Sequence, residues 1–175
     1  MRSDLLDGIA IRYRTAMTIR WRIDTSIGQR TAGAFAVAGL AGAAALHGVW
    51  ASGSPWPAAS WDELADTVVG QRPFPGRGPT WTVVALLATA TLTTSVRSGL
   101  VPFPRGQEMV LVRVGSKAVA ATLLARGAVG ALASAFNVGG STPVFRRWNL
   151  AVYSPLCLAL GAAVAIASRP RSAST

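Results

Sequence analysis

"TAGAFAVAGLAGAAALHGVWA", residues 31–51, decides the fold class of this chain. The stretch has 21 residues and contains no Asp, Glu, Lys or Arg. As an α-helix it would be about 30 Å long, which matches the hydrocarbon thickness of a bilayer. A backbone that crosses a bilayer must satisfy its own hydrogen bonds, so this stretch predicts a transmembrane helix.

Three further stretches are long and apolar enough to cross a bilayer, which places the predicted spans at residues 31–51, 80–101, 114–136 and 148–168. A soluble helical bundle is the alternative, but no span carries the charged stripe of a water-facing side. A cleaved signal peptide does not fit the first span, because its apolar run is too long and no A-x-A site follows. We therefore predict an all-α integral membrane four-helix bundle.

The composition agrees with a membrane protein. Hydrophobic residues make up 51% of the 175 residues and charged residues 14%, against about 25% charged residues in soluble domains. The net charge of +10 would also suit nucleic acid, but the basic residues cluster between the spans, so we expect the bilayer as partner and no nucleic acid. Cys157 is the single cysteine, and there is one histidine. We expect no disulfide, metal or other cofactor.

The distribution of Lys and Arg predicts the orientation. Twelve lie beside the spans on the side of the two termini and four lie on the other side. We therefore expect a plasma-membrane protein with both termini in the cytoplasm, and five of the six tryptophans fall at the predicted outer interface. The predicted domains are a basic cytoplasmic segment (1–30), the bundle (31–168) and a cytoplasmic tail (169–175).

The basic segment has three interpretations. It lies on anionic lipid, it is a disordered flank that serves only topology, or translation begins at Met17 and residues 1–16 are not made. The sequence leaves these open.

The first outer connection contains "SWDELADTVVG", residues 60–70. Ser60 followed by Glu63 is typical of a capping box, and Gly70 of a helix end. This pattern predicts a short helix that lies on the outer surface or plugs it.

Arg126 lies near the centre of the third span, where a charge costs about 2.5–3.5 kcal/mol on insertion scales. The seven acidic residues all lie outside the spans. Three solutions stay open. Arg126 donates to backbone carbonyls and Tyr153; it pairs with Asp62, Glu63 or Asp66 of the outer connection; or it holds an anionic ligand such as a lipid phosphate.

Several other polar residues are candidates for the same region. Residues four apart share a helix face, so Asn149, Tyr153 and Cys157 are expected on one line. Pro155 predicts that the fourth helix begins near Arg147 and is kinked between Ala151 and Pro155. The residues expected to converge in the outer half are His47, Trp50, Arg126, Arg146, Asn149 and Tyr153.

The second span places three polar residues on one line. We predict that Thr89 and Thr93 form hydrogen bonds between helices and that Arg97 anchors the cytoplasmic end.

Three motifs occur here in the order of a known family: "ALHGVWA" (45–51), "LLARGAVG" (123–130) and "FRRWNLAVYSPLCLALG" (145–161). Over roughly residues 35–165 the chain resembles the bacterial small membrane proteins called domain of unknown function 3995. Many members have Asp where this chain has Asn149. The resemblance implies about four membrane helices and no assigned activity.

Two functions fit these patterns. The first is a non-enzymatic binding or accessory protein, whose polar cluster holds the bundle together or grips a lipid-like anion. The second is an enzyme or carrier acting on an isoprenoid, quinone or sterol-like lipid, with His47 and Tyr153 in proton transfer. An apolar cavity of several hundred Å³ beside Arg126 and His47 would favour a ligand site. A collapsed interior with Arg126 fully hydrogen-bonded would favour a structural role.

Overall fold

A computed structural model describes residues 2–102 and 110–169, with side chains from Ile27 onward. The α-helices are α1 (Arg2–Ser52), α2 (Trp61–Leu64), α3 (Arg77–Ser98), α4 (Val110–Ala135), α5 (Pro143–Trp148) and α6 (Ser154–Ala167). Two π-helical turns, Ala65–Val69 and Asn149–Tyr153, follow α2 and join α5 to α6. Residues 103–109, which include Arg105, and residues 170–175 of the predicted tail lie outside the description.

Four helical segments in the described residues are long and apolar enough to cross a bilayer: Ile27–Ser52, Arg77–Ser98, Val110–Ala135 and Pro143–Ala167. This confirms the predicted four-helix membrane bundle. The fourth segment begins at Pro143, one turn before the predicted start, because Thr142 caps the helix by accepting a hydrogen bond from the Phe145 amide. α1 begins at Arg2, so the basic segment is helical and continues the first span, which differs from a disordered flank.

Small residues bring the four long helices together. α1 packs along α3 and α6, and α4 packs along α6 and, over a shorter stretch, along α3. The central cluster is mostly alanine, as is common where membrane helices approach closely: Ala36, Leu40, Ala90, Ala120, Ala163 and Val164. Large apolar side chains such as Leu86, Leu92 and Leu132 are exposed. Their outward position is the one expected for side chains in contact with lipid tails.

Two connections close one end of the bundle, which we call the loop end: residues 53–76 between α1 and α3, and residues 136–142 between α4 and α5. In the first connection, Ser60 Oγ accepts a hydrogen bond from the Glu63 amide, and Glu63 Oε2 accepts one from the Ala59 amide. Gly70 ends the π-helical turn with φ +81°. These contacts confirm the predicted cap and helix end. Leu64 and Ala65 are buried, so α2 plugs the loop end.

We call residues 61–69 the plug, and Arg72 links it to the chain that follows. Arg72 Nε and Nη2 donate to Asp66, and Arg72 Nη1 donates to Asp62 Oδ2 at 3.0 Å. The hydrogen bond with Arg72 lowers the pKa of Asp66. The ion pairs join α2 to the chain that leads into α3.

The hydrogen bonds of two threonines in α3 differ from the prediction. Thr89 Oγ1 donates to Ala85 O and Thr93 Oγ1 to Thr89 O, both within α3. The predicted hydrogen bonds between helices are therefore wrong for these two residues, because a threonine on a helix reaches the carbonyl four residues earlier more easily than a neighbouring helix. Arg97 does bridge two helices: its Nη2 donates to Ser168 O at 2.6 Å, after the last turn of α6.

Candidate functional site

Arg126 points toward the loop end, away from the centre of α4. Its Nη1 lies 3.4 Å from Asn149 Oδ1 and directly over Gly130, one turn closer to the loop end. A Cβ atom at position 130 would be 2.1 Å from this nitrogen. Glycine therefore leaves the space that the guanidinium fills, and the long side chain carries its charge toward the headgroup region.

Asn149 connects Arg126 to a small hydrogen-bonded network. Asn149 is 1% exposed, and its Nδ2 donates to Gly130 O and to Ser134 Oγ, both at 2.7 Å. Arg146 Nε donates to Ser134 O at 2.8 Å. The network holds the π-helical turn against α4 and brings three of the predicted residues together: Arg126, Arg146 and Asn149.

The carboxylates of the first connection are engaged elsewhere. Asp62 and Asp66 pair with Arg72, and Glu63 accepts from the Ala59 amide. Among the described residues Arg126 hydrogen-bonds to a neutral amide and to no carboxylate. The predicted alternative in which Arg126 pairs with one of these acids is therefore wrong in this structure.

A cleft of about 970 Å³ lies between α1 and α6. We call it the α1–α6 cleft. The plug covers it at the loop end, where Leu64, Thr67 and Val68 line it. Four predicted residues line the same cleft: His47, Trp50, Arg126 and Tyr153.

His47 lines this cleft with one of its two ring nitrogens already bonded. Its Nδ1 lies 2.8 Å from Ala43 O, a carbonyl that can only accept, so Nδ1 carries the proton. In the neutral ring Nε2 is then an acceptor. The ring packs against Trp50 at a centroid distance of 4.8 Å, and Trp50 Nε1 donates to Trp56 O at 2.8 Å. His47 is thus held in a fixed orientation.

Tyr153 faces the cleft and not the Asn149 network. Its ring stacks on Trp148 at a centroid distance of 6.4 Å, and its hydroxyl has no hydrogen-bond partner among the described residues. Cys157 lines the cleft beside it, whereas Asn149 lines a separate cavity against α4. The predicted single line of Asn149, Tyr153 and Cys157 is therefore wrong. A π-helical turn holds an extra residue, so residues four apart no longer share a face.

Arg126 borders two further cavities. One, of about 640 Å³, is lined by Gln71, Ser134 and Asn149; the other, of about 370 Å³, lies under the first connection and is lined by His47 and Phe145. The guanidinium stands where the three cavities meet. The loop half of the bundle is therefore open around Arg126.

Two further residues belong to this site. Glu63, predicted as part of a cap and as one possible partner of Arg126, lines the α1–α6 cleft without pairing with Arg126. Ser154 is 1% exposed, and its Oγ has no hydrogen-bond partner in the described structure. That oxygen lies 3.0 Å from where a Cβ at position 130 would be. No pattern in the sequence around Ser154 indicated this position.

One comparison with known proteins gives a match. A family model described as "Protein of unknown function (DUF3995)" matches residues 40–164. Neither the curated proteins nor the solved structures contain a match to the chain.

Proposed function

The chain belongs to the DUF3995 family of proteins of unknown function, and on that premise we propose that it is a non-enzymatic binding protein that grips an anionic group with Arg126. The bound group occupies the open loop half of the bundle. The cluster named above, His47, Trp50, Arg126, Arg146, Asn149 and Tyr153, divides into a part that faces the ligand and a part that supports Arg126 through Asn149.

One observation carries this proposal: the charge of Arg126 meets only a neutral partner at the junction of three cavities. A charge at this depth is costly unless an opposite charge or several hydrogen bonds offset it. Asn149 supplies one hydrogen bond of 3.4 Å. An anion in the adjoining space would offset the remaining cost. The open interior supports a ligand site over a purely structural network.

The location and orientation belong to the same proposal. The protein resides in the plasma membrane with both termini in the cytoplasm, so that the loop end faces outward. The support is the excess of twelve Lys and Arg residues over four on the side of the termini. Residues 1–30 form the basic cytoplasmic segment and residues 169–175 the tail.

A second function has a specific observation in its favour. His47 and Tyr153 line the same cleft, and an imidazole and a phenol in one cleft can exchange protons with a bound molecule. The alternative is therefore an enzyme or carrier that acts on an isoprenoid, quinone or sterol-like lipid.

Native mass spectrometry of detergent-purified protein tests the proposal. The wild type retains an anionic molecule, and Arg126→Ala loses it. Arg147→Ala is the matched control, because Arg147 is an exposed arginine outside the α1–α6 cleft. Absence of any retained molecule from wild type and Arg126→Ala alike rejects the binding function.

The same measurement separates the two functions. A binding protein retains one molecule, unchanged by His47→Gln or Tyr153→Phe. An enzyme yields two related masses in the wild type, of which His47→Gln and Tyr153→Phe keep only one.

A further inference from the structure

We propose that the bound molecule is a single-chain amphiphile with an anionic head, and that it enters the α1–α6 cleft sideways from the bilayer. This inference rests on the proposed function and adds the class and source of the ligand. A water-soluble anion such as free phosphate shares the head chemistry and is the alternative source.

The polarity of the cleft changes along its length. Its loop-end part is bordered by His47, Trp50, Glu63 and Arg126. Its deeper part is bordered by apolar and small residues, namely Gly39, Gly42, Val152, Leu156 and Cys157. A molecule that matches both parts has a polar head toward the loop end and an apolar tail toward the middle of the membrane.

The depth of Arg126 fits the head of such a molecule. Its guanidinium lies against Gly130, five residues before the end of α4 at Ala135. At the rise of an α-helix this is about 8 Å from the helix end, near the boundary of headgroups and hydrocarbon. A charged head bound there remains at the depth at which lipid heads reside.

The walls of the cleft determine the direction of entry. At the bottom α1 meets α6 closely, since a Cβ on Gly39 would be 2.5 Å from Leu160 Cδ2. At the loop end the plug closes the cleft with Leu64 and Ala65, which are 1% and 0% exposed. Between these closures, Val152 and Leu156 are 38% and 45% exposed on one rim and Gly42 is exposed on the other. The mouth between them opens toward lipid.

The volume and the charge of the cleft further restrict the class of ligand. About 970 Å³ is at the upper end of the range of about 300–1,000 Å³ for small-molecule sites, which suits one acyl or prenyl chain with its head. Arg126 supplies a positive charge there. Glu63 supplies the opposing charge at the plug, where its Oε2 accepts from the Ala59 amide at 2.9 Å. Arg126 is the one cation among the described residues that line the cleft, so an anionic head would bind beside Arg126.

The test uses quenching of Trp50 by an alkyl phosphate that carries bromine on the carbon atoms next to its head, in nanodiscs. Trp50 is kept as the single tryptophan by replacing the other five with Phe. The matching bromoalkyl alcohol lacks the anionic head, and inorganic phosphate lacks the tail. We expect the alkyl phosphate to quench Trp50, the alcohol to bind about tenfold more weakly, and inorganic phosphate not to compete.

The mouth is tested with a pair of glycines on α1. A Cβ at Gly42 or Gly48 would meet nothing within 4 Å, but only Gly42 borders the cleft. We expect Gly42→Leu to weaken quenching about tenfold and Gly48→Leu to leave it unchanged. Leu156→Phe narrows the mouth from the other rim, and it is the second variant for the same measurement if Gly42→Leu fails to fold.

The outcomes separate this inference from the proposed function. If inorganic phosphate displaces the anion retained at Arg126 and the alkyl phosphate does not quench Trp50, the ligand comes from water; lateral entry is then rejected and the binding function stands. Equal quenching in wild type, Gly42→Leu and Leu156→Phe also rejects the lateral mouth. If neither phosphate binds and native mass spectrometry finds no retained molecule, both proposals fail.

Discussion

Arg126 and Asn149 meet at 3.4 Å between α4 and the π-helical turn, a charged donor against a neutral acceptor. The Asn149 amide nitrogen is occupied by Gly130 O and Ser134 Oγ, which fixes its oxygen toward the guanidinium. Arg126 is therefore positioned but not neutralised.

Replacing this neutral acceptor by an acid tests whether the uncompensated charge is what binds the ligand. In Asn149→Asp a carboxylate faces Arg126 and replaces the external anion, so we expect retention to weaken about tenfold or more. Native mass spectrometry measures it. Asn137→Asp is the control, since Asn137 is exposed at the end of α4 and its φ of +53° is one that Asp tolerates. Wild-type retention in Asn149→Asp contradicts the proposed role of the charge.

Gly130→Ala tests the space over which Arg126 lies. The added Cβ would be 2.1 Å from Arg126 Nη1 and 3.0 Å from Ser154 Oγ, so the guanidinium must leave Asn149. We expect the free energy of unfolding to fall by about 1–3 kcal/mol, as overpacking does, and ligand retention to fall with it.

Gly115→Ala is the control in the same helix, because its Cβ would have an ordinary contact of 3.7 Å with Thr93. It should be neutral or slightly stabilising, since alanine favours helix more than glycine. Both are measured by denaturation in detergent. Equal stability of the two variants would mean that Arg126 moves aside freely.

Two membrane-end arginines should respond in opposite ways to substitution by leucine. Arg126→Leu loses one long hydrogen bond and removes a charge that has no ionic partner among the described residues, so its membrane level and thermal stability should be retained while binding is lost. Arg97→Leu loses a buried bond of 2.6 Å to Ser168 O and should be destabilised by about 1.5–3 kcal/mol. Thermal unfolding and membrane level measure both, and loss of Arg126→Leu from the membrane contradicts the prediction.

The plug should open only in acid. Arg72 lowers the pKa of Asp66 below its ordinary value of 3.8, so Asp66 stabilises the folded connection above the unfolded pKa. That stabilisation is lost as the pH falls through the lower folded pKa. Hydrogen exchange of residues 61–69, corrected for intrinsic rates, should show constant protection from neutral pH down to about pH 4 and less protection below it.

Arg72→Gln should reproduce the acid state at neutral pH, because it removes the partner of both aspartates. Arg147→Gln removes an exposed arginine elsewhere and should leave protection unchanged. Loss of protection well above pH 4 in the wild type would mean that another group controls the plug.

Much of the fold could be predicted because it depends mainly on the length of the apolar stretches. Four stretches long enough to cross a bilayer predict four helices, whatever their contacts. The capping residues Ser60 and Gly70 act within a few residues of the chain, Ser60 through its hydroxyl and Gly70 through its positive φ, so both could also be predicted from the sequence. The Thr-Pro pair at residues 142–143 also indicates a helix start. The prediction placed the start near Arg147 because it was argued from Pro155.

The site was predicted less completely because it depends on contacts between helices. Arg126 stands out by its cost in lipid, but the sequence left open whether Asp62, Glu63 or Asp66 pairs with it. The division of Asn149 from Tyr153 did not follow, since spacing by four assumes an uninterrupted α-helix. The open space around Arg126 could not be predicted either. The volume of the cleft depends on the distance between α1 and α6, which a sequence pattern does not give.

The π-helical turn Asn149–Tyr153 has a consequence for how this protein could change over evolution. Its extra residue sets the rotation between Asn149, which bonds to α4, and Tyr153, which faces the α1–α6 cleft. Deleting a single residue there would keep both side chains but rotate one against the other. Asn149 could then no longer bond to α4 while Tyr153 faces the cleft. A relative that binds the same molecule should therefore keep the length of this turn even where its amino acids differ.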